Sequence, residues 1–546
     1  MSEAVPRPRS ETLGDLLDEI AAATPRSLAV IFRDERLDYA ALKVLVDGFA
    51  RALLATGVRR GDRVALFVTN RTEWLVAAFG AAKIGAVTAA ISTFSTPREL
   101  GWTLEHCGAS VLVTLDTFRG RSFLGALRDL CPELARSAAG ALCSAKLPAL
   151  HTVVAVQGSP AAGAYSLADF LARGAGVGPA ELAAAQRKVR PEDICYILYT
   201  SGSTAAPKGV TLAHGPLIAN AFAIGERMHL TAVDRVWVAV PLFWSFGSAN
   251  ALPALMTHGG SIVLQESFEP GDAIALIERE RCTVYYGMAN MARAMREHPS
   301  HPGRRLGAMR TGLTIGPPED IVMTIEALGA GELCNVYGAT ETYGNCAVTD
   351  AHDPLDQRLH SHGLPLPGMT IRAVDPMTRA ALPTGEIGEL VVEGYYRAPE
   401  LDGAAFAETG GFLTGDLGSI DRDGRVRFRG RLKEMIKTGG INVAPLEVEE
   451  VLLQHPDIIQ AHVVGVPDAA KGEVVGAVVE PRPGAAAGAA AILGFCRERL
   501  ASYKVPARLA FLTADQLPRT PTGKIHKPSL AEALAIEGRH GVGRSQ

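Results

Sequence analysis

The 546-residue chain sets 54 Lys and Arg against 58 Asp and Glu, and its formal net charge of −4 gives no case for nucleic acid or an acidic membrane surface as partner. Hydrophobic residues at 47% and charged residues at 21% give an ordinary globular profile, long enough for a large catalytic unit plus a smaller domain. Eight cysteines (107, 131, 143, 195, 282, 334, 346 and 496) form no CxxC or Cys/His cluster. With no secretory leader in the sequence, the expectation is reduced thiols and a cytoplasmic location.

Residues 1–10 are polar and rich in Pro and Arg, which predicts a frayed end. Leu13, Leu16, Leu17 and Ile20 recur at helical spacing, and a second helix is predicted over Ala41 to Thr56. Gly61-Asp62-Arg63-Val64-Ala65-Leu66-Phe67-Val68 reads as a turn feeding a buried strand. The apolar stretch from Trp74 to Ile91 is interrupted by Lys83 and several glycines. It therefore reads as a core helix followed by a strand near Val87–Ile91, and not as a membrane span. Strands alternating with helices predict a doubly wound α/β body with parallel sheets. Residues 118–150 carry helical patterning and then an Ala/Gly-rich link, a surface excursion.

The chain then reaches Tyr199-Thr200-Ser201-Gly202-Ser203-Thr204-Ala205-Ala206-Pro207-Lys208-Gly209-Val210. A strand-type run, Ile194 to Leu198, breaks here into hydroxyls, a glycine, a proline and a lysine. Oxygen-rich anions require such a loop: N–H groups and hydroxyls to donate, and a cation to offset charge. Thr200, Ser201, Ser203 and Thr204 supply the donors and Lys208 the cation. The GxxxxGK[ST] loop is excluded, because no glycine precedes Lys208 and no Ser or Thr follows it. Further on come Pro241-Leu242-Phe243-Trp244-Ser245-Phe246-Gly247, an aromatic turn, and Met309-Arg310-Thr311-Gly312-Leu313-Thr314-Ile315-Gly316-Pro317-Pro318, a Gly/Pro segment. Asn335-Val336-Tyr337-Gly338-Ala339-Thr340-Glu341 places an aromatic ring, a hydroxyl and a carboxylate close together in the chain.

Together these motifs resemble the acyl-adenylate-forming superfamily, which contains acyl-CoA synthetases, aryl-CoA ligases, carrier-loading adenylation domains and firefly-type luciferases. The likeness runs from about Thr12 to Lys527, and acyl-CoA synthetases are the nearest type. The resemblance implies an α/β enzyme with two domains. A large layered N-terminal domain of parallel sheets flanked by helices, residues 1–432, would bind nucleotide and acyl group. A small α+β C-terminal domain, residues 433–546, would rotate on a hinge at Lys433. The resemblance assigns the 200–208 loop (including Gly202) and Gly316, Tyr337, Gly338 and Thr340 to ATP or AMP. It gives Glu341 and Thr204 to Mg²⁺, and Trp244, Phe246, Gly247 and Ile315 to the acyl pocket. Asp416 and Arg431 would hold the ribose. Gly439 and Gly440, in Thr438-Gly439-Gly440-Ile441-Asn442-Val443, would form the loop that swings in for thioester formation, where coenzyme A enters. Lys524, in Pro521-Thr522-Gly523-Lys524-Ile525-His526-Lys527, would be the adenylation lysine. Pro445 opens an amphipathic helix.

Four departures stand out. Trp244 stands where many members have histidine, Ile315 where they tend to have a small residue, and the loop after Gly394 is short. The fourth is Ala205, where the family has glycine. If this position needs the left-handed region, alanine costs about 1–2 kcal/mol. If its methyl points at the phosphates, a misplacement of about 1 Å costs on the order of 10²-fold in rate. Thioester formation would suffer less, because pyrophosphate has then left. The reading is therefore a two-step acyl-CoA ligase for an apolar carboxylic acid. The alternatives are a thioesterification-only ligase fed acyl-adenylate by a separate adenylating enzyme, and a stand-alone adenylation enzyme loading a carrier protein in trans.

Overall fold

The computed structural model describes residues 5–158, 162–200, 208–303, 305–394, 411–438, 441–468, 471–485, 487–500, 502–519 and 525–540. The chain forms two compact units, Met1–Thr370 with Glu393–Gly403, and Ile371–Val392 with Ala404–Gln546.

The first unit is built on two sheets. The larger has nine strands in the spatial order Leu364–Pro365, Ala347–Val348, Glu332–Tyr337, Thr311–Thr314, Val284–Tyr286, Arg235–Val238, Ser261–Leu264, Leu28–Phe32 and Glu35–Asp38. From Glu332–Tyr337 to Leu28–Phe32 all neighbours run parallel. The second sheet has seven strands: Lys208–Ala213, Ile194–Thr200, Val87–Ala90, Arg63–Phe67, Val111–Thr114, Thr152–Ala155 and Tyr165–Ser166. All are parallel neighbours except Lys208–Ala213, which is antiparallel at the edge. Strands such as Val87–Ala90 and Val111–Thr114 are buried along their whole length, because helices cover both faces of a parallel sheet. This is the doubly wound body that alternating strands and helices predict.

The stretch from Trp74 to Ile91 resolves into the helix Thr72–Lys83 and the strand Val87–Ala90. Lys83 does not mark a solvent face. It is 1% exposed and donates to the carboxylates of Asp18, at 2.6 Å, and Asp47, so a buried charge is paired where isolation would be costly. Ser10, at the close of the segment expected to fray, is tethered. Ser10 donates from its backbone N–H and its hydroxyl to Glu19, at 2.9 and 2.6 Å. Among the described residues no helix is long and apolar enough to cross a membrane.

In the second unit a four-stranded sheet, Thr370–Val374, Gly388–Glu393, Phe412–Ile420 and Val426–Arg431, precedes the C-terminal α+β fold. The latter is a five-stranded sheet dominated by the long antiparallel pair Ile458–Asp468 and Gly472–Pro481. Val448, Leu452, Val463, Val475, Val479 and Ile492 form one core of this fold. Val466, Val478, Leu530 and Leu534 form another on the helix Lys527–His540.

Candidate active site

Three of the motif segments leave the same edge of the nine-stranded sheet. The aromatic turn follows strand Arg235–Val238, Ile315–Gly316 follows Thr311–Thr314, and Gly338 to Glu341 follow Glu332–Tyr337. Because these strands are mutually parallel, all three segments lie at their carboxyl ends, where open α/β sheets collect ligands.

The first and third segments are joined directly. The Ser245 hydroxyl lies 3.1 Å from that of Thr340. Thr340–Thr342 is a single 3₁₀ turn that leaves the Glu341 side chain partly exposed. The geometry around it demands glycine at 338: a Cβ there would lie 2.4 Å from the Gly344 carbonyl oxygen and 2.6 Å from the Asn345 Cα. Gly247 is forced in the same way, since a Cβ would meet the Pro241 carbonyl oxygen at 2.7 Å. Gly247 lies in a π-helical turn, Phe246–Ala251, a local widening of the helix frequently found at functional sites. Phe246 is buried and packs on Tyr286, ring centroids 4.9 Å apart. Trp244 is half-buried, edge-on to Phe243 at 6.0 Å. Ile315 is 44% exposed, unusual for its size, and stands beside Gly316 at the strand end. Tyr337 is buried, its ring edge-on to His362 at 6.4 Å.

The residues flanking the 201–207 segment are an antiparallel pair, Thr200 opposite Lys208. The loop therefore connects strand to strand, in contrast to the strand-to-helix loop excluded above. Ser201, Gly202, Ser203, Thr204 and Ala205 lie outside the described residues. Below Thr200 the Tyr199 hydroxyl is 3.0 Å from His106 Nδ1, and its ring is edge-on to Trp102 at 6.1 Å. The strand Lys208–Ala213 is tied to the 340s segment, because the Ala213 N–H donates to the Tyr343 hydroxyl at 3.4 Å. His214, next in the chain, is fully buried and accepts from the Leu13 N–H at its Nδ1, 3.1 Å. Burial depresses its pKa to about 4, so it is neutral at physiological pH.

In the second unit Asp416 and Arg431 are register partners on antiparallel strands. Arg431 Nε lies 2.8 Å from the Asp416 carboxylate, which is 2% exposed. Gly415, with φ of 68°, precedes Asp416, and Thr414 Oγ1 accepts from the Asp416 N–H at 3.1 Å. Lys433 is exposed in the 3₁₀ turn Leu432–Glu434. Gly439, Gly440 and Lys524 lie outside the described residues. The strands flanking the two glycines pair Thr438 with Ile441.

Two contributors were not assigned from sequence. Ser245 stood inside a quoted motif, but its partner is 95 residues away. Lys527, three residues after Lys524, donates to Glu434 at 3.1 Å and Glu449 at 3.4 Å. Burial pulls its pKa down, but the two carboxylates outweigh burial and leave it raised. Lys527 thus ties the segment after Lys524 to the residue after Lys433.

Comparison with known proteins agrees with these motifs. Residues 17–400 match the AMP-binding enzyme family and residues 447–524 its C-terminal domain. YngI of Bacillus subtilis (strain 168), provisionally an acyl-CoA synthetase, is 34% identical over 532 residues, covering 95% of this chain and 96% of the relative. A mitochondrial medium-chain acyl-CoA ligase of Danio rerio is 31% identical over 541 residues, 96% of this chain and 88% of its own. Among solved structures, ATP-bound MatB from Rhodopseudomonas palustris superposes with a TM-score of 0.80 at 27% identity, covering 96% of this chain and 99% of that one. The chain belongs to the AMP-binding enzyme family, among relatives that are acyl-CoA synthetases and ligases.

Proposed function

We propose that the chain is an acyl-CoA ligase for an apolar carboxylic acid, working through an acyl-adenylate. The carboxylate attacks the α-phosphorus of ATP, forming acyl-AMP and releasing pyrophosphate. The thiolate of coenzyme A then attacks the acyl carbon, forming the thioester and releasing AMP. The observation that carries this reading is the Ser245–Thr340 contact. It joins the turn assigned to the acid with the motif assigned to phosphate, at the carboxyl edge of one parallel sheet.

In this reading Thr340 and the hydroxyls of the 200–204 loop donate to phosphate oxygens, with Lys208 offsetting charge. The buried Asp416 accepts from the ribose hydroxyls and Arg431 fixes its orientation. Tyr337 borders the adenine, and Lys524 follows the charge that develops during carboxylate attack. The donor set near Thr340, a carboxylate at Glu341 among hydroxyl oxygens, fits a hard cation, so Glu341, with Thr204, would hold Mg²⁺. When bound, Mg²⁺ shields phosphate charge. Trp244, Phe246, Gly247 and Ile315 line the acid. An apolar acid is favoured by these side chains and by the medium-chain activity in the name of the Danio rerio relative. Lys433 serves as the hinge between residues 1–432 and 433–546, and Gly439 and Gly440 admit the pantetheine arm.

The test is acid-dependent pyrophosphate release with ATP and Mg²⁺ over a panel of apolar acids, for the natural protein beside Ala205→Gly. Release by both supports the two-step ligase. Release by the glycine variant alone assigns the protein to thioester formation from supplied adenylate. Silence from both, with no thioester made from supplied adenylates, overturns the proposal.

A further inference from the structure

Away from the residues discussed above, two imidazoles and a carboxylate converge on the surface of the first unit. His229 follows the helix His214–Arg227, while Asp350 and His352 follow the strand Ala347–Val348. One ligand atom from each of the three lies within 4.8 Å of the others. His229 Nε2 is 2.8 Å from Asp350 Oδ1, and the two histidine rings are stacked, 3.8 Å between centroids and 13° from parallel.

The backbone arrangement is specific. His229 has φ of 50°, in the left-handed region that non-glycine residues seldom adopt. It is pinned there by Arg310, whose Nη2 donates to the His229 carbonyl at 2.7 Å. The same guanidinium is held by Asp234 at 2.7 Å and Glu332 at 2.8 Å. On the other side the His352 N–H donates to Asp350 Oδ1 at 2.9 Å, and the Asp350 N–H donates to Asp353 at 3.0 Å. The Ala351 N–H donates to the Arg227 carbonyl at 2.8 Å, which clamps the two turns together. Both ligand-bearing turns are thus fixed from behind, as the outer partners of metal ligands are.

We propose that His229, Asp350 and His352 form a binding site for a divalent transition metal, of the class Zn²⁺, Cu²⁺ or Ni²⁺. Two neutral imidazoles and one carboxylate are a borderline donor set that suits these ions and not Mg²⁺ or Ca²⁺. Three protein ligands leave further positions for water. Bond lengths near 2.0–2.2 Å to N and O ligands call for three ligand atoms gathered around one point, and these three already lie within 4.8 Å of one another. The side chains are exposed or half-exposed, so the ion enters without opening the fold. Bound there, it staples the end of helix His214–Arg227 to the turn after Ala347–Val348. It acts on stability and takes no part in acyl transfer.

The test uses the full chain, stripped of metal, with Cu²⁺ as spectroscopic probe and Zn²⁺ in thermal melts. The natural protein should bind one Cu²⁺ whose electron paramagnetic resonance shows coupling to two imidazole nitrogens, and Zn²⁺ should raise its Tm by a few degrees. His352→Gln, at a position of ordinary backbone geometry, should reduce the coupling to one nitrogen and cancel the Zn²⁺ shift. His229→Gln should do the same, and Cys143→Ser, which changes the exposed thiol, should leave both signals unchanged. Absence of nitrogen-coupled Cu²⁺ in the natural protein would overturn the proposal, as would an unaltered spectrum in His352→Gln.

Discussion

Asp416 and Arg431 face one another across two antiparallel strands, the guanidinium 2.8 Å from a carboxylate that is almost wholly buried. Arg431 itself is about half exposed, so the pair has a dry end and a wet end. Removing the wet partner takes a close cation from the dry carboxylate, at a cost of about 1–3 kcal/mol. Arg431→Gln is therefore expected to lower the urea midpoint of the second unit and to raise the KM for ATP. Asp416→Asn should raise KM more while unfolding less, because a neutral amide needs no cation. Equal effects on KM and midpoint in both variants would contradict the ribose assignment.

Lys524 is assigned to the first half-reaction alone. Lys524→Ala is expected to abolish acid-dependent pyrophosphate release, a loss of at least about 10²-fold for an electrostatic group at the reacting centre. Thioester formation from supplied acyl-adenylate should stay within a few-fold of the natural protein. Parallel loss of both reactions would refute that division.

Lys527 is paired with Glu434 and Glu449, and the Val463 N–H also donates to Glu449, at 2.7 Å. Glu449 is buried, and burial raises its pKa while Lys527 and the Val463 N–H pull it the other way. Lys527→Met should destabilise the C-terminal fold by about 1–3 kcal/mol, below the cost for a fully buried pair because Lys527 and Glu434 retain some exposure. The double change Lys527→Met with Glu449→Gln should recover part of that loss. Simple additivity in denaturant melts would show that the two side chains do not interact.

His214 supplies an acid-side pH dependence. Its folded pKa, about 4, lies below the roughly 6.5 of a free imidazole. The unfolded chain therefore takes up a proton that the folded chain refuses. Stability from this group is complete above pH of about 6.5 and falls progressively towards pH of about 4. His214→Asn keeps an acceptor for the Leu13 N–H and does not titrate. Its stability should fall less steeply between those pH values, measured by denaturant melts at a series of pH. An unchanged slope would mean that other groups carry the acid response.

Much of the body was readable because buried parallel strands are nearly continuous apolar runs. Val64 to Phe67 and Val87 to Ala90 needed no partner to be recognised. Lys83 was readable as an interruption but not as a buried ion-pair centre, since Asp18 and Asp47 reach it only when three helices pack. The motifs announced Thr340, Asp416 and Arg431 individually. The strand register that sets Asp416 against Arg431 includes an irregularity between Leu417 and Gly418, which alternation of side chains along a strand does not foretell. The Ser245–Thr340 contact depends on two loops whose strands, Arg235–Val238 and Glu332–Tyr337, are separated in the ordered sheet by Val284–Tyr286 and Thr311–Thr314. Ser10 was read as part of a loose end, because its tether to Glu19 belongs to the following helix.

The hydroxyl contact between Ser245 and Thr340 also constrains how this scaffold can diversify. Under the proposed assignments, a substitution in 241–247 chosen to admit a different acid would pull on the turn that carries Thr340 and Glu341, and specificity and nucleotide handling would be inherited together. Engineering a new guest is then best begun at Ile315, whose exposed side chain has no hydrogen-bonding group and whose replacement leaves that linkage untouched.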